Sequence, residues 1–501
     1  MENLTMDGDT LRLAGQVAQT ASLRDACCLL GPKTVLYPLQ PPFLWAAAWG
    51  GALVWPGWNP LSAARLATIL ALVAIAWLLA RLAGDAGAGP GGRAVAAAFP
   101  FCWHGFSFLV GSCDDNVVTD ALRLAAVFAT TRWLASPPGG RRHLVAGAAL
   151  GGAMLWHFQS VLLFPAVAIA GLWESGREGS SRRREIAVAL LAGAVIWAAG
   201  VGGSVLAGRG PAPELSALAR ATVENHREGR LWAPRSARTP ATQAAVVGEG
   251  WSRMILGFDW LRPAGGAVAV AMVVALATIL GVGCAVVLAG TPLGRVLGPV
   301  VAIQSAHSFL YESESIERWD LPVMVSGLAL AAAFAACRRR TAKPKASWAG
   351  SVRGPAGSVL GAGGAALAVA LVACNVTAYV RFARGAESAF LDVVEGRRTI
   401  AELNLDCVGA HWRLCRVARG VALEAGPGDA FAGMLQAKVP DVFHQYWLTS
   451  WCTAYLICYA PGFLQRPAAR PLWISLLRAP PPSHVILRQE GFVYLAAARR
   501  P

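Results

Sequence analysis

Apolar residues along this chain come in blocks of roughly 18–27, and blocks of that length match the ~30 Å hydrocarbon core of a bilayer. The pattern predicts membrane-spanning helices over 62–82 (SAARLATILALVAIAWLLARL), 93–111, 117–135, 143–157, 160–173, 186–207, 264–290, 294–310, 320–337 and 356–380. The stretch 143–173 is too long for one crossing. It is broken by the polar tetrad HFQS (His157 to Ser160), which suits a tight turn at the surface. The run 41–55, PPFLWAAAWGGALVW, is short and rich in Trp, a residue that favours the headgroup level, so it predicts an interfacial helix. The expected fold is therefore an all-α polytopic membrane protein with about ten transmembrane helices.

Charge orients these helices. Basic segments alternate with less basic ones: RWLASPPGGRRH (132–143), ESGREGSSRRRE (174–185), TPLGR (291–295) and CRRRTAKPKAS (337–347) fall on one side. By the positive-inside rule that side is cytoplasmic. The N-terminal segment, SCDDN, HFQS, the loop 208–263, HSFLYESESIERWD (307–320) and the tail from 381 then lie outside. Three units follow: 1–61, a first extracytoplasmic loop with its interfacial helix; 62–380, a transmembrane core; and 381–501, a small extracytoplasmic C-terminal domain. The first ten residues, MENLTMDGDT, carry no basic stretch or apolar core of a signal peptide. Translocating about 40 polar residues ahead of the first span leads us to expect a further apolar helix encoded upstream. An upstream reading frame without a ~20-residue apolar segment would rule it out.

Composition agrees. Of 501 residues, 55% are hydrophobic and 15% charged, with mean hydropathy +0.47, against about 25% charged in soluble domains. The net charge of +15 does not point to nucleic acid, because the basic residues cluster between apolar blocks rather than among exposed aromatics. The eleven cysteines form no metal-ligand spacing. Cys407, Cys415, Cys452 and Cys458 lie late in the chain, where one or two disulfides and unpaired buried thiols are both open.

The candidate chemistry sits on the outer side. Asp7, Asp9, Asp114, Asp115, His157, Gln159, His307, Glu312, Glu314, Glu317 and Arg318 all fall at the outer ends of spans, as a cavity at the bilayer surface requires. Each has a plainer role available. Asp114 or Asp115 suits an N-cap, His157 a turn residue, and Glu317 with Arg318 a surface ion pair of small value.

The motifs resemble those of GT-C-fold glycosyltransferases, in particular the protein O-mannosyltransferase and aminoarabinose transferase group. Asp9, Arg12, Ala14, Pro41 and Pro42 match, in order, that group's first extracytoplasmic loop. Asp114 and Asp115 match a second acid at the start of a span, and ERWDLPVM (Glu317 to Met324) matches its entry into a late helix. His157 stands where the group commonly has a basic residue. The resemblance covers roughly residues 5–340. It implies a sugar donor borne on polyprenyl phosphate and a protein, lipid or glycan acceptor on the extracytoplasmic side. In it Asp9 is the expected general base, with Asp7 as fallback. Arg318 and His157, helped by Arg12, face the departing phosphate, and Asp114 or Asp115 meets acceptor or sugar hydroxyls. Gln159, His307 and Glu317 complete the expected binding face. Asp7-Gly8-Asp9 is also a DxD sequence, used elsewhere for divalent metal, so a divalent cation stays open. The alternatives are a glycan ligase or polymerase using a polyprenyl-diphosphate donor, with Arg220, Arg227, Arg230, Arg235 and Arg238 as extra cations; a non-enzymatic transporter; and a catalytically dead scaffold relative.

Overall fold

The computed structural model describes residues 8–27, 29–30, 37–102, 115–178, 180–207, 291–311, 429–435, 453, 456–459, 470–475, 485–489 and 493–497. The helices are α1 (Gly8–Ala18), α2 (Leu23–Cys27), α3 (Gln40–Val54), α4 (Pro60–Asp85), α5 (Pro90–Ala98), α6 (Asp115–Leu134), α7 (Arg142–Trp156), α8 (Leu163–Glu178), α9 (Ser180–Ala207) and α10 (Pro292–Tyr311). Short 3₁₀ segments follow α5 (Phe99–Cys102) and link α7 to α8 (Phe158–Leu162). Three helical stretches, Pro60–Asp85, Phe158–Gly176 and Ser180–Ser204, are long and apolar enough to cross a membrane. The expected spans 264–290, 320–337 and 356–380 lie outside the described residues.

Local sequence explains the ends of α4. Asn59 caps it by accepting a hydrogen bond from the Ser62 amide at 3.1 Å, and Pro60 fills a first-turn position where no amide partner is needed. At the far end Gly87 takes a φ of +89°, and the Ala88 amide reaches back to the Ala83 carbonyl at 2.8 Å, which closes the helix.

The helices sort by direction. Trp77 packs on Phe128 and Asp85 pairs with Arg132 at 2.8 Å, so α4 and α6 run parallel and end together. Gly147 meets Ala189, Gly151 meets Gly193 and Leu155 meets Gly200, so α7 and α9 also run parallel. Gly171 faces Ile186 while Gly193 faces Phe164, which makes α8 antiparallel to α9. The Arg295–Glu174 ion pair joins the start of α10 to the end of α8. The C-terminal ends of α4, α6 and α8 therefore share one end of the bundle with the N-terminal ends of α7, α9 and α10. That alternation is the one expected from the basic loops.

The α7–α9 contact depends on the absence of side chains. A Cβ on Gly147 would lie 2.4 Å from the Ala189 carbonyl oxygen, and one on Gly151 2.8 Å from that of Gly193. Small residues four apart let two helix backbones approach, as they do in lipid where packing replaces the hydrophobic effect. The basic end is tied by Glu185. Its carboxylate accepts from the Trp133 indole (2.9 Å), the Arg182 guanidinium (2.8 Å) and the Gly139 amide (2.6 Å). Arg182 also donates to the Ser136 carbonyl at 2.6 Å and is wholly buried, whereas its neighbours Arg183 and Arg184 are exposed.

Before the bundle, α1 buries Leu11, Ala14 and Val17, one face of an amphipathic helix, against α3 and α4. The Trp-rich run 41–55 forms α3 and its C-cap Trp55, with Trp49, Leu53, Val54 and Trp55 exposed. The all-α expectation describes the helices but not the tail. Residues 429–497 contribute β1 (Asp429–Leu435), β2 (Arg470–Ser475), β3 (Val485–Gln489) and β4 (Val493–Ala497) in one sheet of order β1-β2-β4-β3. β1 and β2 are parallel, while β4 pairs antiparallel with both β2 and β3. Strands this short give little alternation to detect.

Of the tail cysteines, Cys458 is described and is free. Desolvation pushes its thiol up to about 12, so at pH 8 it is a thiol and not the nucleophilic thiolate. Maleimide labelling of Cys458 at pH 8, followed by peptide mass spectrometry, is expected to be at least tenfold slower than for a free exposed cysteine, and to accelerate only as pH climbs toward 12.

Candidate functional site

The end of the bundle opposite Glu185 gathers segments far apart in sequence. A small cavity of about 30 Å³ lies there, large enough for a water molecule. Thr10 of α1, Gln40 of α3, Thr68 of α4, Val118 of α6 and Trp156 of α7 all line it. The Leu39 amide, at the entry to α3, donates to the Leu155 carbonyl at 3.0 Å, which fastens the first loop to the end of α7. Phe43 and Trp156 pack edge to face, with ring centroids 5.3 Å apart.

Three of these lining residues stand close in sequence to residues expected at the site. Thr10 follows Asp9, which is the second residue of α1. Val118 is one helical turn from Asp115, the first residue of α6. Trp156 precedes His157. Arg12 is half-buried on α1, and His307 is half-buried near the end of α10, one turn beyond buried Gln304. Gln159 lies in the 3₁₀ turn. The side chains of Asp9 and Asp115, and the whole of Asp7, Asp114, Glu312, Glu314, Glu317 and Arg318, lie outside the described residues, as do the five arginines of 208–263.

HFQS forms the expected turn. His157 caps it: its Nδ1 accepts the Gln159 amide at 3.2 Å, and its carbonyl accepts the Ser160 amide at 3.0 Å. Tyr37 meets the imidazole edge to face at 4.9 Å. An amide N–H only donates, so Nδ1 is unprotonated here and the ring proton sits on Nε2.

Three buried charged groups near this end were not among the expected site residues. Asp120 and Arg123 sit one turn apart on α6, almost without solvent contact, with Nη1 3.4 Å from Oδ1. Arg123 Nε donates to Ser160 Oγ at 3.3 Å, so α6 holds the HFQS turn directly. Arg65, buried in α4 beside the cavity-lining Ala64, donates to the Tyr459 hydroxyl at 3.2 Å and ties the bundle to the tail. The signal for all three was a charge inside an apolar run, where an ionisable side chain is costly and has a purpose. Among the described residues no group of three or more His, Cys, Asp or Glu is placed to hold a metal ion.

No family model matches the chain, and no curated protein matches it. Two solved structures resemble it in backbone. ArnT from Cupriavidus metallidurans bound to undecaprenyl phosphate overlays with a TM-score of 0.48 at 13% identity, over 99% of this chain and 94% of that one. The same protein in the apo state gives 0.46 at 14% identity, over 97% and 93%.

Proposed function

We propose that this chain is an integral membrane glycosyltransferase that moves a sugar from a polyprenyl-phosphate carrier to an extracytoplasmic protein, lipid or glycan acceptor. The observation that supports it most is the cavity shared by α1, α3, α4, α6 and α7, because the segments flanking it carry Asp9, Asp115 and His157. Attack at the anomeric carbon needs a base within about 3 Å of the acceptor hydroxyl. Asp9 takes that proton, with Asp7 as the alternative. The acceptor oxygen then bonds to the anomeric carbon with inversion, the bond from that carbon to the phosphate oxygen breaks, and the electron pair leaves on polyprenyl phosphate. Donors positioned beforehand stabilise that developing charge best. Arg318 and Arg12 supply cations and His157 an Nε2–H. Asp114 or Asp115 meets sugar or acceptor hydroxyls.

The test is a membrane assay with a panel of radiolabelled polyprenyl-phosphate sugars. Asp9→Asn is expected to lower transfer by about 10²–10⁴-fold, the usual contribution of a general base, while the protein stays monodisperse in detergent. Undiminished transfer in that variant removes Asp9 as the base. Label crossing the bilayer without transfer favours transport instead. Against transport stands the course of α6, which carries buried Asp120 and Arg123. Transporters place their polar groups on broken helices at the midplane, and α6 is unbroken. A second reading, a ligase taking a glycan from polyprenyl diphosphate, is favoured by Arg220, Arg227, Arg230, Arg235 and Arg238, enough cations for a second phosphate. Activity with diphosphate-linked donors only would establish it.

A further inference from the structure

Ser160 is fully buried, and so is Asp120, while Arg123 is 4% exposed. The contacts joining them therefore lie in a dry interior, where a hydrogen bond is strengthened and its geometry held. Arg123 has a fork of donors. One arm faces Asp120 Oδ1 at 3.4 Å and Nε reaches Ser160 Oγ at 3.3 Å. The ion pair within one helix turn keeps the guanidinium charged and in place. The second contact leaves the helix and grips the turn that follows α7. In that turn the Ser160 amide donates to the His157 carbonyl and the Gln159 amide to His157 Nδ1. The chain of contacts runs from a rigid helix, through one hydroxyl, to the tautomer of one imidazole.

We infer that Arg123, acting through Ser160, is a positioning residue that fixes His157 as an Nε2–H hydrogen-bond donor at the cavity end of the bundle. Protonation at Nδ1 would set two donors against each other across the Gln159 amide, so the turn excludes it while it is held. Whatever His157 donates to, it donates through Nε2. That this acceptor is the departing phosphate rests on the proposed reaction; the tautomer does not. The rival explanation is an Asp120–Arg123 pair that merely stabilises α6. Ser160→Ala separates the two, because it leaves that pair intact and removes only the grip on the turn.

Two measurements test it on the full chain in lipid nanodiscs. In the first, the protein is labelled with ring-¹⁵N histidine and the His157 signal is assigned by its loss in His157→Asn. The expected wild-type spectrum shows Nδ1 unprotonated and Nε2 protonated, and Ser160→Ala gives a mixture of tautomers. Arg123→Lys, which keeps the charge opposite Asp120 with a less directional donor, is expected to fall between them and serves if Ser160→Ala does not fold. A protonated Nδ1 in the wild type, or a spectrum unchanged in both variants, overturns the inference. In the second, binding of polyprenyl phosphate and of the matching polyprenol is followed by tryptophan fluorescence. Wild type is expected to prefer the phosphate at least tenfold. Ser160→Ala is expected to lose about fivefold of that preference, the scale of one misaligned hydrogen bond, with polyprenol binding unchanged. A wild type that does not distinguish phosphate from alcohol overturns the functional proposal, and the tautomer spectrum then decides the clamp by itself. A wild type that discriminates, with Ser160→Ala and Arg123→Lys indistinguishable from it in both binding and tautomer spectrum, overturns the clamp and leaves the function standing.

Discussion

Glu185→Ala is expected to be among the most destabilising single changes in the described helices, costing about 3–5 kcal/mol, the range for removing one partner of a buried charge pair. The carboxylate accepts from three segments: the end of α6 through Trp133, the α6–α7 loop through Gly139, and the start of α9 through Arg182. Alanine strands all three donors, and Arg182, wholly buried, keeps its charge with only the Ser136 carbonyl among these contacts. Glu185→Gln keeps an acceptor oxygen for Trp133 and Arg182, which share one carboxylate oxygen, and is expected to lose less than half as much. Arg183→Ala, an exposed neighbour, is expected to change stability by less than about 0.5 kcal/mol. Thermal unfolding in detergent, followed by size-exclusion chromatography, ranks the three. A Glu185→Ala protein that melts with wild type would show that the basic end of the bundle does not depend on this carboxylate.

Gly147→Leu is expected to push α7 from α9 at a cost of about 3 kcal/mol, the upper end for overpacking. Its Cβ would fall 2.4 Å from a backbone oxygen of Ala189, and a backbone atom, unlike a side-chain end, cannot rotate away. Even Gly147→Ala is expected to destabilise. Gly152 provides the control, since a Cβ there meets nothing within 4 Å. Gly152→Ala is expected to be neutral or to stabilise by up to about 1 kcal/mol through helix propensity. The two alanine variants differ by five residues on one helix. Equal melting temperatures for them would mean that α7 and α9 do not meet along this seam.

The second effect has a functional consequence. α7 ends in Trp156 and His157, so a displaced α7 also moves the Leu39–Leu155 contact and one wall of the cavity. Lost transfer in Gly147→Leu would therefore not distinguish a catalytic defect from a packing one. Asp9→Asn and Ser160→Ala are the informative variants for the site.

Much of the helical framework was legible. The apolar run 62–82 became Pro60–Asp85, 117–135 became Asp115–Leu134 and 294–310 became Pro292–Tyr311, because the length of a hydrophobic run and its flanking caps are local properties. The break at HFQS was readable for the same reason. Arg182 differs in kind from its neighbours: in SSRRRE it counts as one more charge setting orientation, yet it is buried against Trp133 and Glu185 while Arg183 and Arg184 carry the exposed charge. Nothing local separates three consecutive arginines. Arg65, Asp120 and Arg123 were visible as charges inside apolar runs, but their partners Tyr459 and Ser160 lie far along the chain.

The sequence by itself located α4, α6 and α10 and the break at HFQS, since each follows from hydrophobicity and capping counted over neighbouring residues. Only the tertiary structure decided that Gly147 and Gly151 seat α7 on α9, that Glu185 knots three segments, and that the α6 guanidinium of Arg123 holds the turn of His157. Those depend on helix rotation and register, which close packing between distant segments sets and no local pattern encodes.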